Sequence, residues 1–461
     1  MNRTLPLILT AALLLTACTS AVPAQPADAT TSPDAAASSP AQPDAAASSP
    51  AQPDAAASSP AQPDAETSAP PLTPKFPVGH LLTLPQNQNS GPVWNTGDAL
   101  YELRDASNMT PEALVLKTDY AALTQSAYCD IPGCTHDSDA CPAYLASDFC
   151  VGVMAVDGTV YTYPGELTNV APTQIYRIDP AVGKTPVAAV PDALPHHMQL
   201  QWCDEYALYG CPLAASHQPG TLYRWDWQND TVQTIPMLAD EKIIACEGSR
   251  FLTIRIEANE PFPNFGSTEQ EKAILAHAVY VYAWLDPATG AREKICTRPY
   301  ADGYFHNYYD GRIYYTGNFR NADPPGQQAA LLYFDTADGT EKTLLETIPF
   351  DTYGIDVCEP FSPAFAGVPQ RYLRVLNVGD AYADCLLDME TGDILPAPAV
   401  TAEGVRRPAL LLACTASGQW LTTANPRDSY DPQYSLYALW DPADFLADGQ
   451  PATWVTMYAT E

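Results

Sequence analysis

Leu332-Tyr333-Phe334-Asp335-Thr336-Ala337-Asp338-Gly339 is followed at once by Thr340-Glu341-Lys342-Thr343-Leu344-Leu345. An aliphatic and aromatic run ends in Asp, Gly stands four residues further on, and a second β-prone run leaves. Asp at the start of a turn can accept backbone N–H groups, and Gly takes the left-handed conformation that closes a hairpin. The same arrangement recurs at Ile175-Tyr176-Arg177-Ile178-Asp179 with Gly183, at Val281 to Asp286 with Gly290, and at Leu386-Leu387-Asp388 with Gly392. Looser copies end at Asp119, Asp226 and Asp441.

A second element precedes each hairpin, a turn followed by a strand. Asp157-Gly158 leads into Thr159 to Tyr163, Asp310-Gly311 into Arg312 to Tyr315, and Ser417-Gly418 into Gln419 to Thr422. Each unit thus reads strand, turn, strand, loop, strand, Asp turn, strand. The seven hairpin aspartates fall 47 to 60 residues apart. Four-stranded units at that period predict an all-β chain folded as a β-propeller of about seven four-stranded blades, with six or eight also compatible. A blade cannot bury both faces alone, and closing the ring removes exposed sheet edges. Gly79 to Leu84 is expected to supply the strand that closes the ring against the last blade, near Trp454 to Tyr458. The one helical pattern is Ser267 to Ala278.

The propeller region is expected over residues 76–461. What precedes it differs in kind. Thr19 to Pro74 has no Lys, Arg or aromatic residue, and the unit SSPAQPDAAA starts at Ser38, Ser48 and, degraded, Ser58. Such a segment cannot bury enough apolar surface to offset its ordering entropy. Frequent Pro favours extended polyproline II, so residues 18–75 read as a disordered stalk with a reach on the order of 170 Å at ~3.1 Å per residue. Before it, Arg3 and the apolar run Leu5 to Leu15 have the size of a signal-peptide core over residues 1–17.

That signal ends in Leu15-Thr16-Ala17-Cys18, which resembles the bacterial lipobox. The resemblance implies cleavage before Cys18, a diacylglyceryl thioether on its sulfur, and attachment to the cell membrane at its extracytoplasmic face. Lipobox, stalk and Asp-turn blades together resemble surface lipoproteins of Gram-positive gut-type bacteria that carry TolB-like or related propellers. The resemblance implies an architecture and leaves the activity open, because propellers host many functions.

The chain has 461 residues, 54 acidic against 22 basic residues, and a formal net charge of −32. This excludes a nucleic-acid binder, which needs clustered Lys and Arg, and argues against electrostatic docking on anionic lipid. No G-x-S-x-G and no H-E-x-x-H occurs, and no acid stands out from the turn-capping set. An enzyme is therefore disfavoured.

The densest chemistry is Cys129-x4-Cys134-Thr135-His136-x4-Cys141. Three thiols and one imidazole make a complete tetrahedral set for a structural zinc ion, while a disulfide between two of the cysteines is the competing reading. A similar Cys-rich insert belongs to the resembled lipoproteins, which implies a structural role either way. Cys203, Cys246 and Cys414 are expected on inner strands, with a Cys203–Cys211 bridge across one hairpin as the alternative to free thiols. The chain has 12 cysteines; with Cys18 lipidated, at least one of the others stays outside any intramolecular disulfide. Tyr304, His306, Tyr308 and Tyr309, with Trp202, are the candidate ligand-binding residues, because aromatic faces beside short polar groups suit sugar or peptide recognition. The function expected is non-enzymatic binding of a glycan, peptide or envelope protein at the cell surface. The alternatives are a surface glycan hydrolase or lyase with carboxylates at the channel, and an envelope scaffold.

Overall fold

The computed structural model describes residues 73–458, apart from the segments 85–92, 106–111, 147–150, 168–172, 213–216, 261–267, 301–303, 318–329, 347–358, 361–370, 376–384, 397–398, 403–404, 425–435, 448 and 452. Residues 1–72 and 459–461, including Cys18 and most of the expected stalk, lie outside the described residues. Among the described residues no helix is long and apolar enough to cross a membrane.

The described chain is built mainly of strands, with two short helices. Seven sheets each run as a four-stranded antiparallel meander in chain order, over residues 93–127, 151–189, 198–239, 242–299, 304–345, 359–396 and 410–454. We number these blades 1 to 7. A two-stranded hairpin, Ala399–Ala402 with Val405–Pro408, lies between blades 6 and 7. The helical pattern forms Thr268–Leu275, between the second and third strands of blade 4.

The local chemistry read from the sequence operates at every blade. The seven aspartates end the third strands, and each accepts the backbone N–H two or three residues on: Ala121 to Asp119, Ala181 to Asp179, Asn229 to Asp226, Ala288 to Asp286, Ala337 to Asp335, Glu390 to Asp388 and Ala443 to Asp441, at 2.8–3.1 Å. Six of these turns lead to the fourth strand directly. At Asp441 the same side chain caps a short helix, Pro442–Leu446, before Thr453–Trp454 completes blade 7. Pro442 suits the first helical position, where no N–H bond is lost.

The blades pack face to face through apolar clusters. One joins blades 6, 7 and 1 around Trp420, Trp440 and Phe445, and others join blade 1 to 2, 2 to 3, 3 to 4 and 4 to 5. Blade 5 meets blade 6 where Tyr314 Oη donates to the Met389 carbonyl at 2.6 Å. The chain ends meet across blades 7 and 1. Asn95 Nδ2 donates to the Cys414 carbonyl at 2.7 Å, Ala416 N to the Gly97 carbonyl at 2.8 Å, and Thr456 forms a parallel bridge with Thr124.

One expectation is corrected. The segment before blade 1 does not close the ring against Trp454 to Tyr458. Leu82–Thr83 instead pairs with the free edge of the first strand of blade 3, Leu82 opposite Cys203 and Thr83 opposite Trp202. Leu81 N donates to Gly248 O and Leu84 N to Gln201 O, both at 2.7 Å. Any inner strand edge offers the same backbone groups, so side chains decide the site. Leu81 and Leu84 are buried in the clusters between blades 3 and 4 and blades 2 and 3. Phe76 covers the guanidinium of the fully buried Arg224 at 4.6 Å, and Asp204 accepts Gly79 N at 3.1 Å.

Candidate metal centre

The four donors come from one insertion in the outer edge of blade 1. The fourth strand, Thr124–Ala127, pairs with the third and stops; the chain returns to the same strand as Tyr144–Leu145, opposite Ala113 and Leu114. Residues 128–143 form the excursion. Short local bonds fold it: Cys134 N to Ile131 O at 3.2 Å, Cys141 N to Ser138 O at 2.9 Å, and Tyr144 N to Cys141 O at 3.3 Å. The reversal expected at Pro132-Gly133 is present, with Gly133 at φ 73°. His136 is also left-handed, at φ 59°. A non-glycine residue holds that conformation only where its surroundings impose it.

This folding brings one ligand atom each from Cys129, Cys134, His136 and Cys141 within 4.8 Å of one another. His136 Nδ1 lies 3.2 Å from Cys141 Sγ. All three cysteines are free thiols, as are Cys203, Cys211, Cys246, Cys296 and Cys414. Burial pushes the Cys141 thiol up to about 12 and raises Cys129. The His136 N–H beside Cys134 lowers that thiol.

The donors fit a single tetrahedral ion. Zn–S distances of about 2.3 Å and Zn–N of about 2.0–2.1 Å place donors roughly 3.5–3.8 Å apart. The span here is at most about 1 Å wider than that. Three soft thiolates with one imidazole favour zinc over hard cations. Four protein donors leave no open position for a substrate, so such an ion would be structural. A disulfide would use two of the sulfurs and leave the third sulfur and the imidazole converging on nothing.

The insertion is held from both sides. Asp130 N donates to Pro180 O in the last hairpin of blade 2, at 2.7 Å. Lys184 from the same hairpin reaches the Tyr144 carbonyl and Asp139. On the other side the Tyr458 ring stands edge-on to His136, with centroids 6.4 Å apart. Tyr458 and Lys184 were not singled out in the sequence; neither carries a motif, and both arrive through tertiary packing.

The cysteines expected on inner strands are there: Cys203, Cys246 and Cys414 end or nearly end the first strands of blades 3, 4 and 7. The Cys203–Cys211 bridge is corrected by register. Cys203 faces Leu208 and Cys211 faces Gln199, several rungs apart.

Of the aromatic candidates, Trp202 and Tyr308 lie in different clusters between blades. Trp202 is buried between blades 3 and 4, edge-on to Phe251 at 5.6 Å. Tyr308 is buried between blades 4 and 5, edge-on to Trp284 at 5.6 Å, and its hydroxyl is enclosed without a hydrogen-bond partner. Both rings serve blade packing. Tyr309 is half-buried, and burial raises its phenol. Tyr304 and His306 lie on the strand Tyr304–Tyr309, but their side chains fall outside the described residues.

No protein-family model and no curated protein matches the chain. Among solved structures it is similar to a puromycin hydrolase, at 12% identity over 80% of this chain and 56% of that one, with a TM-score of 0.42. It is similar to a prolyl endopeptidase, at 11% identity over 82% and 48% with a TM-score of 0.41. It is also similar to the β-propeller domain of the Trilobed protease from Pyrococcus furiosus, at 9% identity over 80% and 95%, again with a TM-score of 0.41. The chain spans about half the length of the hydrolase and the endopeptidase.

Proposed function

We propose that this chain is a lipid-anchored, non-enzymatic propeller that binds a glycan, peptide or protein partner at the cell surface, with Cys18 carrying the anchor. The observation that supports it best is the seating of Phe76 to Leu84 in the head. This is the stretch that joins the Pro-rich sequence to blade 1, and it is fixed by strand pairing, by Asp204 and by the buried Arg224. A head held on a tether needs the residues that lead into it fastened, so that pulling on the tether does not peel the ring.

Binding is favoured over hydrolysis by the work the buried carboxylates already do. Glu102, Asp204, Asp226 and Asp388 are buried and engaged by Arg, Tyr or backbone N–H groups of the framework. All four serve to hold the framework together.

The test is the full chain and its Cys18→Ala variant expressed in a Gram-positive host. Partition of the wild type into detergent and of the variant into water is expected; equal partition would overturn the anchor. Purified protein is then exposed to cell-wall glycan and peptide probes, with both retention and product analysis. Retention without cleavage is expected, and release of cleaved product would overturn the non-enzymatic reading.

A further inference from the structure

The metal centre sits where the ring is joined. Blade 1 is the first sheet of the chain, and its outer edge touches both the last residues of the chain and the neighbouring blade. Val455 to Tyr458 runs along it: Thr456 N donates to Leu123 O at 2.9 Å, Gln125 N to Thr456 O at 2.8 Å, and Tyr458 N to Gln125 Oε1 at 3.3 Å. Among the described residues the four-stranded meander of each blade comes from one stretch of chain, and blades 1 and 7 are joined by side chains, loops and residues 455–458.

We propose that Cys129, Cys134, His136 and Cys141 bind one zinc ion, and that this ion is the clasp of the ring, fixing the loop that holds Tyr458 on one side and the Pro180–Lys184 hairpin of blade 2 on the other. His136 is the link. Its Nδ1 is the nitrogen beside Cys141, so ligation fixes the imidazole plane, and that plane is the surface the Tyr458 ring meets. Cys129 is the second link, since the adjacent Asp130 carries the bond to Pro180. Without an ion, the loop has its local backbone bonds and its contacts to blade 2, and three thiols face one another around a left-handed histidine. Binding would draw the donors together by up to about 1 Å and take the thiols as thiolates.

The experiment uses the full chain, purified under reducing, anaerobic conditions and stripped with a chelator. Metal analysis after zinc addition should give one ion per chain, and cobalt substitution should give the spectrum of a tetrahedral thiolate site. Hydrogen exchange should slow on zinc addition at two places, residues 129–144 and residues 455–458. His136→Ala should weaken zinc binding at least about tenfold and should not restore protection at residues 455–458. His136→Cys, which restores a four-donor set, should regain the ion and change the cobalt spectrum. This variant keeps the proposal testable if His136→Ala does not fold.

Failure of fully reduced protein to hold zinc, or isolation of a disulfide among the three cysteines without metal, would overturn the site. One zinc bound with unchanged exchange at residues 455–458 would overturn the clasp. None of these outcomes bears on the Cys18 anchor, which the partition experiment reads separately.

Discussion

Tyr437 in blade 7 donates its hydroxyl to Glu102 in blade 1 at 2.5 Å, and this bond joins the two ends of the ring. Glu102 is buried, and its other oxygen takes Arg104 Nη2 at 2.8 Å and Gln125 Nε2 at 3.0 Å. The carboxylate thus connects the last blade, the second strand of blade 1 and the outer strand that carries the metal loop. Burial, followed by the charge of Glu102, raises the Tyr437 phenol far above its ordinary value, so it remains a donor throughout the working pH range.

Tyr437→Phe should lower stability by about 1.5–3 kcal/mol, the usual worth of a hydrogen bond to a charged group. Glu102→Ala should cost more, about 3–5 kcal/mol, because it leaves the buried Arg104 charge without its partner. Urea denaturation of both variants checks the order. Equal losses would show that the hydroxyl, and not the charge pair, carries the joint.

Phe76→Ala should loosen the segment over residues 76–84 without opening the ring. The lost contact with the Arg224 guanidinium is worth about 1–2 kcal/mol where it is desolvated. The amides of Leu81 and Leu84, bonded to Gly248 and Gln201, should exchange faster, while that of Thr456 should not change. Hydrogen exchange by mass spectrometry separates the two regions.

Two turn glycines should respond differently to alanine. Gly339 is at φ 69° with open space around it, so Gly339→Ala meets only the left-handed strain, about 1–2 kcal/mol. Gly392, at φ 79°, would place its new Cβ 3.1 Å from the Leu344 carbonyl in the neighbouring blade. Gly392→Ala should therefore be the more damaging of the two, as read by thermal unfolding.

Acid should destabilise the fold through two buried pairs. Asp388 and Glu241 are raised by burial but lowered more by their arginines, Arg371 and Arg292, and by backbone N–H groups, so both end below their ordinary values of 3.8 and 4.5. A carboxyl depressed in the folded state adds stability that is present above its unfolded pKa and is lost as pH falls through the folded one. Stability should thus decline from ~pH 5 downward. Glu241→Gln, which cannot titrate, should flatten that decline; urea midpoints measured against pH would show an unchanged slope if the pair does not contribute.

Much of the blade was legible because its determinants are local. Asp286 and Gly290 lie four residues apart, and the Gly290 N–H bonds directly to the Asp286 carbonyl at 2.8 Å. The metal donors were legible for a related reason. Cys129 and Cys141 are only twelve positions apart, and Pro132-Gly133 provides the reversal between them. The role of Trp202 and Tyr308 was not legible. An aromatic residue in a strand reads the same whether it faces a ligand or the next blade, and only the neighbours Phe251 and Trp284 distinguish the two.

The strand–turn grammar, the propeller it implies and the proximity of three thiols and an imidazole can be read from the residues alone. Each follows from hydrogen bonds and backbone preferences within a few residues, or from a short loop with a fixed reversal. The docking of Phe76 to Leu84 on blade 3, the joint between Tyr437 and Glu102, and the approach of Tyr458 to His136 come from packing between distant parts of the chain. Those choices are made among strand edges and surfaces that look alike in sequence. They are settled by burial of Leu81 and Leu84, by a guanidinium that needs a cover, and by a carboxylate that needs partners from several strands at once.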